Sequence, residues 1–132
     1  MDEGLLRQAQ EWFERGDHDI ETAQLLYDEH GYPDAIAFHI QQVVEKYLKG
    51  YLVLRGQQPP RIHELDTLLA LASESRPDLY QAFIELCERA TRYYIEGRYP
   101  PGLPVEYDRE ELKADLDTAW QLVRMIRQAA GL

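Results

Sequence analysis

The sequence predicts an all-α protein, an antiparallel up-and-down helical bundle of about five helices, four of them long and one short. Apolar residues recur at steps of three, four and seven along most of the chain, as they do on one face of an α-helix. Glycine and proline interrupt this pattern at four places, and no stretch reads convincingly as a strand. Long amphipathic segments joined by short connections favour neighbouring helices that run antiparallel.

The first two helices are expected over residues 3–29 and 34–54. The segment from Gly31 to Asp34 separates them, and Pro33 suits the first turn of the second helix. Gly16 lies on the inner face of the first helix, where it lowers helix propensity but permits close packing. The expected inner faces are Leu6, Ala9, Phe13, Ile20, Ala23 and Tyr27, then Ile36, Ile40, Val43, Val44, Tyr47, Leu48 and Tyr51.

The remaining helices are expected over residues 63–74, over residues 78–96 and from Asp108 onwards. Pro59 and Pro60 lie in the loop before the third helix, and Pro77 ends it. Asp108, followed three residues later by Glu111, has the form of a capping box. The expected inner faces are Leu65, Leu68, Leu69 and Ala72; then Tyr80, Phe83, Ile84, Cys87, Ala90 and Tyr94; then Leu112, Leu116, Ala119, Trp120, Val123 and Ile126.

Length and composition fit one domain over residues 1–132, with 45% apolar and 29% charged residues. No apolar run approaches the roughly 20 residues that cross a membrane. The N-terminus carries acidic residues and has no long apolar stretch of the kind that marks a secretory signal. We therefore expect a cytoplasmic protein. The single cysteine, Cys87, lies in an apolar-periodic stretch and is expected in the core.

The net charge of −10 bears on nucleic-acid binding. Sequence-independent binding draws its free energy from lysine and arginine side chains that displace counterions from phosphates. A surface that is acidic as a whole cannot supply that free energy, so we do not expect nucleic acid to bind over the whole surface independently of its sequence. A local basic patch is still compatible with this net charge.

The segment FHIQQVVEKYLKG, residues 38–50, carries the most informative polar pattern. Four polar residues are spaced three, four and three apart, so on a helix they lie in one narrow arc beside the apolar stripe. This polar arc consists of His39, Gln42, Lys46 and Lys49, with Glu45 at its flank. One imidazole, one amide and two ammonium groups can hold a phosphate and hydrogen-bond a base. The arc is equally compatible with a solvated face or with an interface to a second subunit or a partner.

Two further polar positions are candidates outside this arc. His63 begins the third helical run, where its ring can accept hydrogen bonds from exposed backbone N–H groups or contact a ligand. Arg98 and Tyr99 stand in GRYPPGLPVEY, residues 97–107, the longest irregular stretch and a plausible functional loop. An arginine there can bind phosphate as a planar fork or pair with the many carboxylates nearby.

The chain has no recognisable motif for metal binding or catalysis. Its four histidines, His18, His30, His39 and His63, have no metal-ligand spacing, and a P-loop, GxGxxG and GxSxG are all absent. We therefore expect no metal, no cofactor and no catalytic residue, while a nucleotide such as ATP remains a candidate ligand.

Several features taken together resemble the HEPN domain family, whose name stands for higher eukaryote and prokaryote nucleotide-binding. The resemblance covers the chain from about Trp12 to Arg127. The family pattern Q-x-x-E-K-x-x-K matches Gln42, Glu45, Lys46 and Lys49; the H-x-L start of the short helix matches His63 and Leu65; and RYP matches Arg98, Tyr99 and Pro100.

The resemblance implies a bundle of about five helices, usually assembled as a homodimer or a higher homo-oligomer, in a prokaryotic intracellular protein. Small HEPN proteins are similar to the C-terminal half of certain nucleotidyltransferases. They often work beside a separate minimal nucleotidyltransferase, as a two-gene module of the toxin–antitoxin kind. Some branches of the family bind nucleotides, and others are metal-independent ribonucleases.

The ribonuclease branches carry an arginine that is followed, after four to six residues, by a histidine. From Arg98 those positions hold Leu103, Pro104 and Val105, and no other arginine has a histidine at that spacing. The imidazole for acid–base cleavage of RNA therefore has no obvious occupant. We expect a non-catalytic nucleotide-binding module that acts with a nucleotidyltransferase. A ribonuclease with a divergent site and a purely structural interaction domain are the alternatives.

Overall fold

The structure, a computed structural model, describes residues 2–98 and 107–132, and for residues 94–98 it describes the helical backbone alone. The described residues form five helices and no strand. In chain order these are α1 (Glu3–Asp28), α2 (Pro33–Leu54), α3 (Leu65–Ser73), α4 (Asp78–Arg98) and α5 (Arg109–Ala129). The predicted all-α helical bundle, with four long helices and one short helix, is confirmed.

The second helix, α2, is the centre of the bundle and packs against each of the other four helices. Its exposed residues are confined to its N-terminal half, at Pro33, Asp34 and Phe38. A helix that is buried on nearly all sides is expected to be apolar all round. However, Gln41, Glu45 and Lys49 are buried polar side chains on α2.

Helices α1 and α2 run antiparallel in close contact because a glycine on each helix faces an aromatic ring on the other. Gly16 of α1 lies against Tyr47, and Gly50 of α2 lies against Phe13. A Cβ atom at Gly50 would lie 2.6 Å from Phe13 Cε1, so a larger residue cannot fit without a shift. The two rings stack on each other, with centroids 4.8 Å apart. The close packing predicted at Gly16 is confirmed, and the same pairing places Asp19 of α1 beside the polar arc.

A buried carboxylate joins α4 to α5. Asp115 is fully buried and accepts hydrogen bonds from Arg89 Nη2 at 2.6 Å and from the hydroxyl of Tyr93 at 2.7 Å. The ring of Tyr93 in turn contacts that of Tyr107, with centroids 5.7 Å apart. These contacts hold the C-terminal half of α4 beside the start of α5.

The predicted helix boundaries agree with the structure to within two residues. At α4, however, the end of the helix and the first residue of its buried face were predicted wrongly. Gly97 and Arg98, expected in the loop, continue the helix. Tyr80, expected in the core, is 44% exposed, whereas Leu79 is buried. The buried stripe of α4 begins one residue earlier than predicted, because residues 79, 83, 86 and 90 follow each other at steps of four, three and four.

Three smaller expectations can be compared with the structure. Cys87 is buried as predicted, and burial raises the pKa of its thiol to about 12. Asp108 caps α5 as predicted, with its side chain accepting the N–H of Glu110. Within residues 2–98 and 107–132, no helix is long and apolar enough to cross a membrane.

Candidate functional site

The polar arc on α2 is divided between two buried carboxylates, of which the first is Asp19 on α1. Only 7% of Asp19 is exposed. Its Oδ1 lies 2.8 Å from Nδ1 of His39, and its Oδ2 accepts a hydrogen bond from Nζ of Lys46 at 2.5 Å. The side chains of His39 and Lys46 are 26% and 24% exposed, so this half of the arc reaches the surface.

The second carboxylate is Glu45, which lies on α2 itself and is 6% exposed. Its Oε1 accepts a hydrogen bond from the amide of Gln41 at 3.0 Å and lies 2.9 Å from Nδ1 of His63. Its Oε2 accepts a hydrogen bond from Nζ of Lys49 at 3.2 Å. The carboxylate therefore joins two turns of α2 to the segment that leads into α3.

Glu45 is ionised despite its burial. Burial alone raises the pKa of a carboxyl group, because it disfavours the charged form. The hydrogen bonds from His63 and Gln41, together with the charge and hydrogen bond of Lys49, outweigh this effect and hold the pKa of Glu45 below its usual value. Glu45 can therefore only accept hydrogen bonds at neutral pH.

The other members of the arc are also engaged within the chain. Gln42 donates a hydrogen bond to the amide oxygen of Gln41 at 2.6 Å. The side chain of Lys49 is only 8% exposed, and its ammonium group lies 5.8 Å from the centre of the Trp12 ring. With its four residues buried or half-buried, the arc is not the solvated face that its spacing allowed.

His63 lies just before α3 and not within it, because Leu65 is the first helical residue. The N–H of Leu65 donates to the hydroxyl of Thr91, which fixes the start of α3 against α4. The ring of His63 reaches Glu45 on α2, and 51% of its side chain is exposed. The structure thus brings His63 to the same cluster as Lys49, although 14 positions separate them in the sequence.

The remaining two predicted site residues are at the edge of the described chain. Arg98 is the last residue of α4, and its side chain is not among those described. Tyr99 lies outside the described residues. The structure therefore does not relate these two residues to the polar arc.

Charge within the two clusters is balanced. Lys46 pairs with Asp19, and Lys49 pairs with Glu45, so two ammonium groups face two carboxylates. Each buried side-chain nitrogen or oxygen atom among the described residues has a hydrogen-bond partner. No group of three or more histidine, cysteine, aspartate or glutamate residues in the described part of the chain is arranged to hold a metal ion.

Asp19 and Asp115, two buried acidic residues that lie far from the polar arc in sequence, were not predicted as members of a site. A signal for both was present in the helical spacing. Asp19 follows Gly16 by three residues and precedes Ala23 by four, and Asp115 stands in the same relation to Leu112 and Ala119. An acidic residue at a core position of an amphipathic helix must find a partner, since an unpaired buried charge is very costly.

A third network, at the other side of α1, was missed as well. The hydroxyl of Tyr47 donates a hydrogen bond to Asp17, and Nη1 of Arg127 lies 3.4 Å from both of those side chains. Burial and the neighbouring carboxylate raise the pKa of Tyr47, so the phenol stays protonated. This network ties α1, α2 and α5 together.

Comparison with known proteins gives two similarities. The model of the HEPN domain matches residues 9–129. The crystal structure of TT1696 from Thermus thermophilus is similar, with a TM-score of 0.78 and 29% sequence identity, over 92% of this chain and 97% of that one. A search of curated proteins gave no match.

Proposed function

This chain belongs to the HEPN domain family, and we propose that it is a nucleotide-binding module that works beside a minimal nucleotidyltransferase, without catalytic activity of its own. In this proposal the nucleotide binds along the polar arc, His39, Gln42, Lys46 and Lys49, with His63 beside it and with Arg98 and Tyr99 at the end of α4.

The observation that carries the proposal is a column of three buried polar side chains on one side of the central helix α2, namely Gln41, Glu45 and Lys49. Burying an ion pair generally costs more than its attraction returns, and well-packed apolar side chains in its place are often as stable or more stable. The packing of a bundle helix does not by itself favour such a column over apolar side chains. Groups with a shifted pKa cluster at functional sites, and Glu45 is such a group.

A nucleotide triphosphate is an anion, and the net charge of the chain is −10, so local cations must dominate the potential at the site. Lys46 and His39 are half-buried members of the arc that reach the surface, and both face one carboxylate, Asp19. In our proposal the phosphates compete with Asp19 for these two groups, and Arg98 adds a further positive charge.

Calorimetric titration with ATP tests this function, with two lysine variants as the comparison. We expect saturable binding by the wild type and at least tenfold weaker binding by Lys46→Ala, because a hydrogen bond to a charged group is worth about 1.5–3 kcal/mol. Lys113→Ala is the matched control, since Lys113 also pairs with an aspartate but lies on the exposed face of α5. Circular dichroism establishes that each variant is folded.

A second function is favoured by the balanced charge of the clusters. If the pairs Asp19–Lys46, between α1 and α2, and Glu45–Lys49, within α2, serve only to stabilise the bundle, the chain is a structural partner domain that docks on the nucleotidyltransferase. In that case the purified wild type binds no ATP, and a Lys46→Ala variant still forms the complex with the enzyme. Heat of binding in the titration therefore separates the two functions.

A further inference from the structure

One aromatic ring on the central helix α2 is exposed beside the polar arc. Phe38 is 44% exposed, and beyond the first turn of α2 no other residue of this helix is exposed. Single exposed apolar side chains are common on protein surfaces, so exposure by itself assigns this ring no role. The position of Phe38 relative to the arc is what carries an inference.

Phe38 lies on the same side of α2 as the arc. It precedes Gln42 by four residues and Glu45 by seven, and residues at these steps are neighbours on one helix face. Its ring also contacts the ring of His39, with centroids 5.3 Å apart and the two planes at 76°. Such an edge-to-face contact uses at most one face of the phenylalanine ring, so a face remains for a stacking partner.

Only the N-terminal half of the arc is open to a ligand. At the other end Glu45 and Lys49 are buried, and the segment before α3 contacts Glu45. In the N-terminal half the side chain of Lys46 is 24% exposed and Phe38 is 44% exposed. A ligand on this surface therefore extends between a cation and an aromatic ring.

The charges of α2 determine which way a nucleotide would lie on this surface. The N-terminus of a helix generally attracts phosphate through its free N–H groups. Here Pro33 has no N–H to offer, and Asp34 places a negative charge in the first turn. The phosphates are therefore better placed at Lys46, eight residues beyond Phe38, which is about 12 Å along the helix axis. That span suits an extended nucleotide triphosphate.

We propose that the base of the nucleotide stacks on the ring of Phe38 and that its phosphates run along α2 to Lys46. The inference rests on the proposed nucleotide-binding function and gives the ligand a direction and a base subsite. Nucleobases stack on aromatic side chains whatever their identity, because every base has a π-face. The site then requires a base and depends only weakly on which base it is.

Calorimetric titration with ATP and with inorganic tripolyphosphate, which has no base, tests the base subsite. We expect Phe38→Leu to bind ATP about tenfold more weakly, as the loss of one base–aromatic stack predicts, and to bind tripolyphosphate as the wild type does. Lys46→Ala should weaken both ligands, because its ammonium group faces the phosphates. Tyr80→Leu is the matched control, since Tyr80 is also 44% exposed but lies on α4, and it should leave both affinities unchanged.

A tryptophan at the same position gives a spectroscopic test. Phe38→Trp keeps an aromatic ring for stacking, so it should bind ATP at least as tightly as the wild type. ATP should quench its additional fluorescence, measured against the wild type with Trp12 and Trp120, and tripolyphosphate should not. Additional emission that saturating ATP leaves unchanged overturns the inference.

The outcomes separate this inference from the proposed function. If the wild type binds ATP and Phe38→Leu binds it equally well, the base subsite is wrong while nucleotide binding stands. An unchanged ATP affinity together with a lower mass in sedimentation would assign Phe38 to an interface between copies of the chain. If Phe38→Leu weakens tripolyphosphate as much as ATP, the ring acts through His39 and the base subsite is again wrong. If the wild type binds neither ligand, the inference and the proposed function both fail.

Discussion

At the scale of single residues, the buried carboxylates are the charged groups whose pairing matters most for stability. Asp19, Glu45 and Asp115 are buried, and each is matched by at least two donors from other positions in the chain. Removing one partner of a buried ion pair leaves an uncompensated charge or polar group, which costs far more than the loss of an exposed pair. Whether a carboxylate is buried or exposed should therefore determine how much its removal lowers the free energy of unfolding.

Asp115 and Asp117 provide a matched test of this rule within one helix. Asp115 is buried against Arg89 and Tyr93, whereas Asp117 pairs with Lys113 on the exposed face of α5. We expect Asp115→Ala to lower the free energy of unfolding by about 3 kcal/mol. Asp117→Ala should change it by no more than about 0.5 kcal/mol. Urea unfolding of both variants measures the two values, and equal effects would contradict the burial argument.

The ionisation of Glu45 predicts how stability depends on pH. Its pKa is lower in the folded state than in the unfolded chain, so its contribution is fully present above the unfolded pKa and is lost as the pH falls through the folded pKa. The stability advantage of the wild type over Glu45→Gln should therefore be largest at neutral pH and should shrink in acid. Urea unfolding across that range checks it, and a difference that does not vary with pH would show that the charge of Glu45 is unimportant.

At the scale of the helices, the fold depends on how closely α1 and α2 approach. Replacing Gly50 by alanine should destabilise the protein by about 1–3 kcal/mol, because the new methyl group overlaps the ring of Phe13. This loss opposes the gain of about 1 kcal/mol that alanine gives over glycine in a helix. Gly4→Ala is the control, since its Cβ would meet only the side-chain end of Asp2. If thermal unfolding shows that Gly50→Ala is more stable than the wild type, the close contact between Gly50 and the ring of Phe13 is ruled out.

The helices were predictable from the sequence because their signals are local. Pro33 and Asp108 mark helix starts, and the inner faces of the described residues follow from apolar spacing, except at Tyr80, where two adjacent registers were both apolar. The side chain of Tyr94, also predicted to face the core, is not among those described. The arrangement of the site was not predictable in the same way. The spacing of the polar arc placed its members on one side of α2, but the contacts to Asp19 and His63 depend on how α1 and the segment before α3 pack.

At the scale of the whole molecule, the exposed apolar side chains bear on whether copies of the chain form an oligomer. Leu25, Tyr32 and Phe38 are 61%, 80% and 44% exposed, and α2 carries the last of them at its exposed N-terminal half. We predict from the family membership that the chain forms a homodimer or a higher homo-oligomer. Sedimentation equilibrium at micromolar concentration should give at least twice the mass of 15.4 kDa, and a monomer at every concentration would show that the prediction is wrong.

Thermal unfolding of the wild type with and without about 1 mM ATP tests nucleotide binding most directly, because a ligand that binds only the folded state stabilises it in proportion to the logarithm of its concentration. We predict a rise in the midpoint temperature that increases with ATP concentration and is reduced in Lys46→Ala. An unchanged midpoint in the wild type over the same concentrations would contradict nucleotide binding. It would leave the HEPN fold intact and assign the polar arc a structural role.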